Sequence, residues 1–140
     1  MIVYLDTSVI LSRFLGESNA LSSWGSWEKS FTSVLTRVEF LRTIDRIRLE
    51  GSIDDPERVA LHQQFSLLWE AMYRIPLSRP ILDRAADPFP TVLGTLDALH
   101  VASALAVIPS LGVPLVFQTH DQQLGRGAEA LGLRVEGTGA

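Results

Sequence analysis

The chain alternates short apolar runs with stretches whose apolar residues recur every three to four positions. Residues 2–5, Ile-Val-Tyr-Leu, read as a buried strand. Asp6, Thr7 and Ser8 follow as helix-starting residues, and a short helix over 9–15 stops at Gly16. A second helix is expected over 17–27, with Gly25 as its weak point, then a brief strand at 31–33. Residues 34–50 form the strongest helical pattern. Val34, Leu35, Val38, Leu41 and Leu49 are expected on its buried face, and Gly51 ends it. Asp54-Asp55-Pro56-Glu57 starts a helix running to about 74 that buries Leu61, Phe65, Leu68 and Met72, with Trp69 at the edge. An edge strand at 75–77, where proline is tolerated, precedes a helix at 78–86 and a proline-bearing loop at 87–94. Thr95 is expected to cap a helix over 96–108. A turn at 109–114, a strand at 115–118, a helix at 121–131 and a strand at 133–135 complete the chain. Apolar strands alternating with helices predict a three-layer α/β/α domain with a small, mainly parallel sheet. The domain is expected to span 1–136, leaving 137–140 as a short tail.

Composition narrows the chemistry. At 140 residues and 46% hydrophobic content the chain has enough apolar surface for one substantial core. No window reaches the roughly 18 apolar residues of a membrane span, and no signal-peptide pattern opens the chain, so a cytoplasmic protein is expected. The absence of cysteine removes disulfides, zinc–thiolate sites and thiol nucleophiles. The net charge of −4 argues against a protein that coats nucleic acid, though not against a nuclease whose own acids lower the total. All basic residues but Lys29 are arginine, and Arg37, Arg42, Arg46 and Arg48 cluster in one helix as candidates for gripping phosphate. They could equally form a solvated helix face.

Four acids stand where the pattern is otherwise apolar or structurally decisive. Asp6 and Asp121 follow apolar strands, where ligands bind in parallel α/β sheets. Asp97 falls in the first turn of its helix, and Glu39 lies on the flank of its helix's apolar stripe. Carboxylates that converge repel one another unless a hard divalent cation sits among them, which points to Mg²⁺ or Mn²⁺. Taken singly, Asp6, Asp97 and Asp121 could be helix caps, and Glu39 could pair with Arg42. His100 could face the same site or hydrogen-bond within the core. No phosphate-binding glycine loop or nucleophile elbow occurs.

The segments Leu5-Asp6-Thr7-Ser8, Thr36-Arg37-Val38-Glu39, Thr95-Leu96-Asp97-Ala98-Leu99-His100-Val101-Ala102 and Thr119-His120-Asp121-Gln122-Gln123-Leu124 occur in that order. Together they resemble PIN-domain ribonucleases, most closely the VapC-type toxins of toxin–antitoxin pairs. The resemblance covers nearly the whole chain. It implies a Mg²⁺- or Mn²⁺-dependent endoribonuclease with Asp6, Glu39, Asp97 and Asp121 as its acids. Ser8 and Thr119 fall where the family often places supporting hydroxyls. It also implies a structured RNA substrate such as tRNA or rRNA, a cognate antitoxin and a homodimer. Many relatives carry arginine just before the Thr-Leu-Asp block, where this chain has Gly94. Arg37 or Arg42 is then the candidate for that arginine's contacts. A rival expectation is a catalytically weak PIN-like module that binds RNA or antitoxin. Another Mg²⁺-dependent phosphotransfer enzyme would fit the acids, but the chain lacks an Asp-x-Asp nucleophile motif.

Overall fold

In the computed structural model, which describes residues 1–139, five strands form one sheet in the order β3-β2-β1-β4-β5. The strands are β1 (Ile2–Leu5), β2 (Lys29–Ser33), β3 (Tyr73–Ile75), β4 (Leu115–Gln118) and β5 (Arg134–Glu136). All four pairings are parallel, so the sheet is wholly rather than mainly parallel. The helices are α1 (Thr7–Phe14), α2 (Leu35–Leu49), α3 (Asp55–Ala71), α4 (Arg79–Ala86), α5 (Thr95–Val107) and α6 (Gln122–Ala130). Ala140, the last residue of the expected tail, lies outside the described residues.

The period of two along β1 builds the layers. Ile2 and Tyr4 point into a core with Ile81 of α4, Val101 and Ala104 of α5, and Leu124 and Ala128 of α6. Val3 and Leu5 point the other way, among Val9 and Ile10 of α1, Phe40 and Ile44 of α2, and Leu61 and Phe65 of α3. Helices α1–α3 therefore cover one face and α4–α6 the other. Because β1 is covered on both sides, all four of its residues are apolar, as central parallel strands require. No helix among the described residues is long and apolar enough to cross a membrane.

Several local expectations change. Residues 17–27 form turns, not a helix. Ser18, Asn19, Ser22 and Ser23 offer side-chain bonds that compete with helix, and Gly25 sits at φ +82°. Trp24 and Trp27 still pack onto the α1–α3 core. In α2 the buried side is Thr36, Phe40 and Ile44, whereas Val38 is 56% and Leu49 69% exposed. Thr36 escapes an apolar filter because it is polar, yet its hydroxyl is buried against that of Thr32 at 2.7 Å. The third strand lies at Tyr73–Ile75, ahead of Pro76, which has no N–H for the ladder. The α5 N-cap is Gly94, with Thr95 the first helical residue, and β5 lies one residue later than expected.

The segment after β5 folds back on β4. Thr119 donates its N–H to Glu136 O at 3.0 Å, and His120 Nδ1 lies 2.8 Å from Gly137 O. Gly137 has φ +105°, and a Cβ there would stand 2.4 Å from Thr119 O. Gly137→Ala should therefore destabilise the protein by about 2 kcal/mol or more in urea unfolding. Gly132→Ala, at φ +87° but with open space around it, should cost only about 1 kcal/mol. Equal losses at the two positions would show that backbone conformation alone matters there.

Candidate functional site

The chain runs outward from β1 to β2 and β3, then crosses back to place β4 on the other side of β1. The carboxyl ends of β1 and β4 thus flank the point where the winding reverses, the usual ligand crevice of open parallel sheets. Asp6 follows β1 and Asp121 lies three residues beyond β4. Asp6 N–H donates to Gln118 O at 2.9 Å, fixing the two strand ends together. Thr32 ties the third wall to them: its hydroxyl donates to Leu5 O at 2.7 Å and meets Thr36, so the start of α2, and with it Glu39, is set against the end of β1.

Three of the four acids engage one carboxylate oxygen with the scaffold. Asp6 Oδ2 accepts from Ser8 Oγ at 2.7 Å and Thr119 Oγ1 at 2.9 Å. Although Asp6 is the N-cap residue of α1, its side chain makes no capping bond. Glu39 Oε1 accepts from Thr7 Oγ1 at 2.9 Å and from His100 Nε2 at 2.5 Å. Asp121 Oδ1 accepts from Leu124 N–H at 3.0 Å, so Asp121 does cap α6. The second oxygen of each acid is left out of these bonds. Asp6 is buried, Glu39 and Asp97 are partly buried and Asp121 is exposed, so the acids grade from the sheet end to solvent.

The charges of the acids act on one another. Burial raises the Asp97 pKa, and the neighbouring carboxylates of Asp121, Asp6 and Glu39 raise it further against a smaller opposing effect of His100, to about 6. Burial also works against ionised Glu39, but the hydrogen bonds from His100 and Thr7 and the charge of His100 outweigh it and lower the pKa. For His100, burial disfavours the charged ring, yet the Glu39 bond and the nearby charges of Asp6, Glu39 and Asp97 raise its pKa overall.

An all-oxygen carboxylate set with mutual repulsion suits a hard divalent cation. Among the described residues no group of three or more His, Asp or Glu side chains is placed to hold a metal ion directly. That is compatible with Mg²⁺, which keeps several waters and takes only one or two carboxylates directly. A cleft of about 680 Å³ lies elsewhere, between Trp27–Ser30 and Glu70–Arg74, where Glu28, Lys29, Glu70 and Arg74 mix both signs of charge. The acids lie at the strand ends instead, where burial and then the like charges of Asp121, Asp6 and Glu39 raise Asp97.

The remaining sequence candidates divide. Ser8 and Thr119 both hydrogen-bond Asp6. Glu39 does not pair with Arg42: Arg42 reaches Asp45 at 3.2 Å, Arg48 reaches Asp45 at 2.8 Å, and Arg46 reaches Glu50 at 3.2 Å. These pairs leave Arg37 as the member of the cluster with no ion pair among the described residues. Two groups were not legible as site residues. Tyr4 reads as one apolar member of a buried strand, but its hydroxyl lies 2.6 Å from His100 Nδ1. Thr7 reads as a helix-start residue, and its bond to Glu39 spans 32 positions.

A family model described as PIN domain matches residues 3–128. Ribonuclease VapC47 of Mycobacterium tuberculosis (strain CDC 1551 / Oshkosh) is 28% identical over 145 residues, covering 99% of this chain and 98% of the relative. Among solved structures, FitAcB from Neisseria gonorrhoeae is similar with a TM-score of 0.69 and 17% identity, covering 96% of each chain. A toxin–antitoxin complex from Klebsiella pneumoniae gives 0.67 and 16%, covering 97% of this chain and 96% of that one. VapBC2 from Rickettsia felis, bound to a DNA fragment from their promoter, gives 0.65 and 12%, covering 97% and 98%. At such identities the likeness to the solved structures is one of fold.

Proposed function

The chain belongs to the PIN-domain family, and from that premise we propose that it is a Mg²⁺- or Mn²⁺-dependent endoribonuclease, the toxin of a toxin–antitoxin pair. What supports the chemistry is the placement of Asp6 and Asp121 beyond the ends of β1 and β4, where the sheet's winding reverses, with Asp97 raised by burial first and then by the charges of Asp121, Asp6 and Glu39. The choice of RNA is supported by the relative named a ribonuclease, which matches over nearly the full length of both chains. The antitoxin partner is supported by a structural neighbour that is itself a toxin–antitoxin complex.

Asp6, Asp97 and Asp121 would hold the cation directly or through water, and Glu39 would ligate it or orient the attacking water. When bound, the cation supplies Lewis acidity toward a phosphodiester and offsets the charge that grows on it. The chain's own contribution is placement. Ser8 and Thr119 fix Asp6 by Oδ2, Thr7 and His100 fix Glu39 by Oε1, and the α6 N-terminus fixes Asp121 by Oδ1. Asp97, partly buried and outside these side-chain hydrogen bonds, is the acid left to adjust. An open rim suits a polymer better than a deep pocket would. Arg37, with no ion pair among the described residues, and Arg42 are the candidates for the phosphate contact that Gly94 does not supply. A structured RNA such as tRNA or rRNA, a homodimer and a cytoplasmic setting complete the proposal.

Asp6→Asn should reduce Mn²⁺-dependent cleavage of a structured RNA on the order of a thousand-fold while leaving the fold intact by circular dichroism. Undiminished cleavage by this variant would reject the site. One observation favours the rival, a weak RNA- or antitoxin-binding module: no group of three or more of the acids is placed to hold a metal ion directly. RNA binding by the wild-type chain without cleavage in either metal would decide for that rival.

A further inference from the structure

Beneath the acids runs a buried polar chain that placement of the carboxylates alone does not require. Tyr4, on the central strand, has no solvent exposure, and its ring stacks on Phe117 at 5.0 Å. Its hydroxyl lies 2.6 Å from Nδ1 of His100, which is only 1% exposed and sits one helical turn after Asp97. His100 Nε2 is 2.5 Å from Glu39 Oε1 and 3.7 Å from Asp6 Oδ1. Apolar side chains would fill this space at lower desolvation cost, so the phenol and imidazole call for a reason beyond packing.

The hydrogen-bond directions supply one. An ionised carboxylate only accepts, so Nε2 must donate to Glu39 whether the ring is neutral or charged. In the neutral ring the Tyr4 hydroxyl donates to Nδ1 and holds that tautomer. In the charged ring Nδ1–H donates to the Tyr4 oxygen. Either way the imidazole is pinned at both nitrogens. Glu39 has the longest side chain of the four acids and the most rotamers to lose, and it enters the site from a helix flank. Two donors on Oε1, His100 and Thr7, confine it while Oε2 takes no part in these bonds.

We propose that His100, braced by Tyr4, is a positioning residue that fixes the Glu39 carboxylate for the acidic site. This rests on Glu39 being a working member of that site, as proposed above. The test measures Mn²⁺ affinity by titration calorimetry and RNA cleavage on the full-length chain. The variants are Glu39→Gln, His100→Leu, His100→Gln, Tyr4→Phe and the double change Glu39→Gln/His100→Leu. His100→Leu should weaken Mn²⁺ binding about 10- to 100-fold, the range usual for a partner that orients a metal ligand. His100→Gln, which keeps an N–H donor, should recover part of that loss. Tyr4→Phe, which keeps the ring, should weaken binding a few-fold. The double variant should bind no more weakly than Glu39→Gln alone. If Glu39→Gln binds and cleaves like wild type, the role assigned to Glu39 fails. If Glu39→Gln is impaired while Tyr4→Phe and His100→Leu bind normally, or if the two losses add in the double variant, the positioning role fails by itself. Should His100→Leu not fold, Tyr4→Phe with unchanged Mn²⁺ affinity overturns the brace.

Discussion

Asp97→Asn should make the cation-free protein more stable at pH 7.5 and at the same time abolish most of its RNA cleavage. Asp97 has a native pKa of about 6, above the ordinary 3.8, because it is buried beside Asp121, Asp6 and Glu39. A native pKa above the unfolded value means that the folded state holds the proton more tightly. That contribution is fully present below about 4 and is lost as pH rises through about 6. At neutral pH the ionised carboxylate therefore works against folding. Asparagine removes the charge with little change in shape. The gain should be about 1 kcal/mol, well below the unscreened maximum, because part of the carboxylate faces water. The slope of stability against pH between 5 and 7 should flatten but not vanish, since His100, also raised, loses its own contribution in the same direction. Cleavage should fall on the order of a thousand-fold. Urea unfolding in EDTA at pH 5 and 7.5, with cleavage assays in Mn²⁺, reads both arms. A variant less stable than wild type in EDTA would contradict the repulsion, and a fully active one would contradict the site. Such an exchange of stability for function is expected where like charges are held together for a ligand.

Phe40→Ala should be the most destabilising single truncation near the site, costing about 3–5 kcal/mol in urea unfolding. Phe40 has no exposure, stacks on Phe65 at 4.2 Å and meets Phe14 edge-on at 5.7 Å. It is the contact by which α1 and α3 grip α2, and Glu39 is the residue before it. Truncation opens a cavity shared by three helices, none of which can collapse into it without moving the others. Val38→Ala, one position before Glu39 and 56% exposed, should cost within about 0.5 kcal/mol. Reversal of that order would restore the apolar face read from the sequence, with Val38 inward.

That face shows where the sequence was informative and where it was not. The layers could be read from β1 because alternation has a fixed period and every one of its residues is apolar. The position of Asp6 followed, because a strand's end defines where its next polar residue emerges, and Asp121 followed as the cap of the helix after β4. The α2 face misread because Thr36 is buried through a hydroxyl pair with Thr32, an interaction that no count of apolar residues includes. Residues 17–27 misread because Leu21, Trp24 and Trp27 have helical spacing although the intervening serines favour turns. For Glu39 the projection placed the side chain on the correct flank but offered Arg42 as its partner. The actual partners, Thr7 and His100, are 32 and 61 positions away and become neighbours only when α1, α2 and α5 meet at the sheet end.

The central claim is that these four acids hold a catalytic cation. Its most direct test is the anomalous difference map from a crystal of the protein soaked in Mn²⁺. A peak between Asp6, Asp97 and Asp121, within direct or single-water reach of their free oxygens and absent from Asp97→Asn crystals, is the result expected. Mn²⁺ bound elsewhere while this site stays without a peak, in a protein that cleaves RNA under the same conditions, would contradict it.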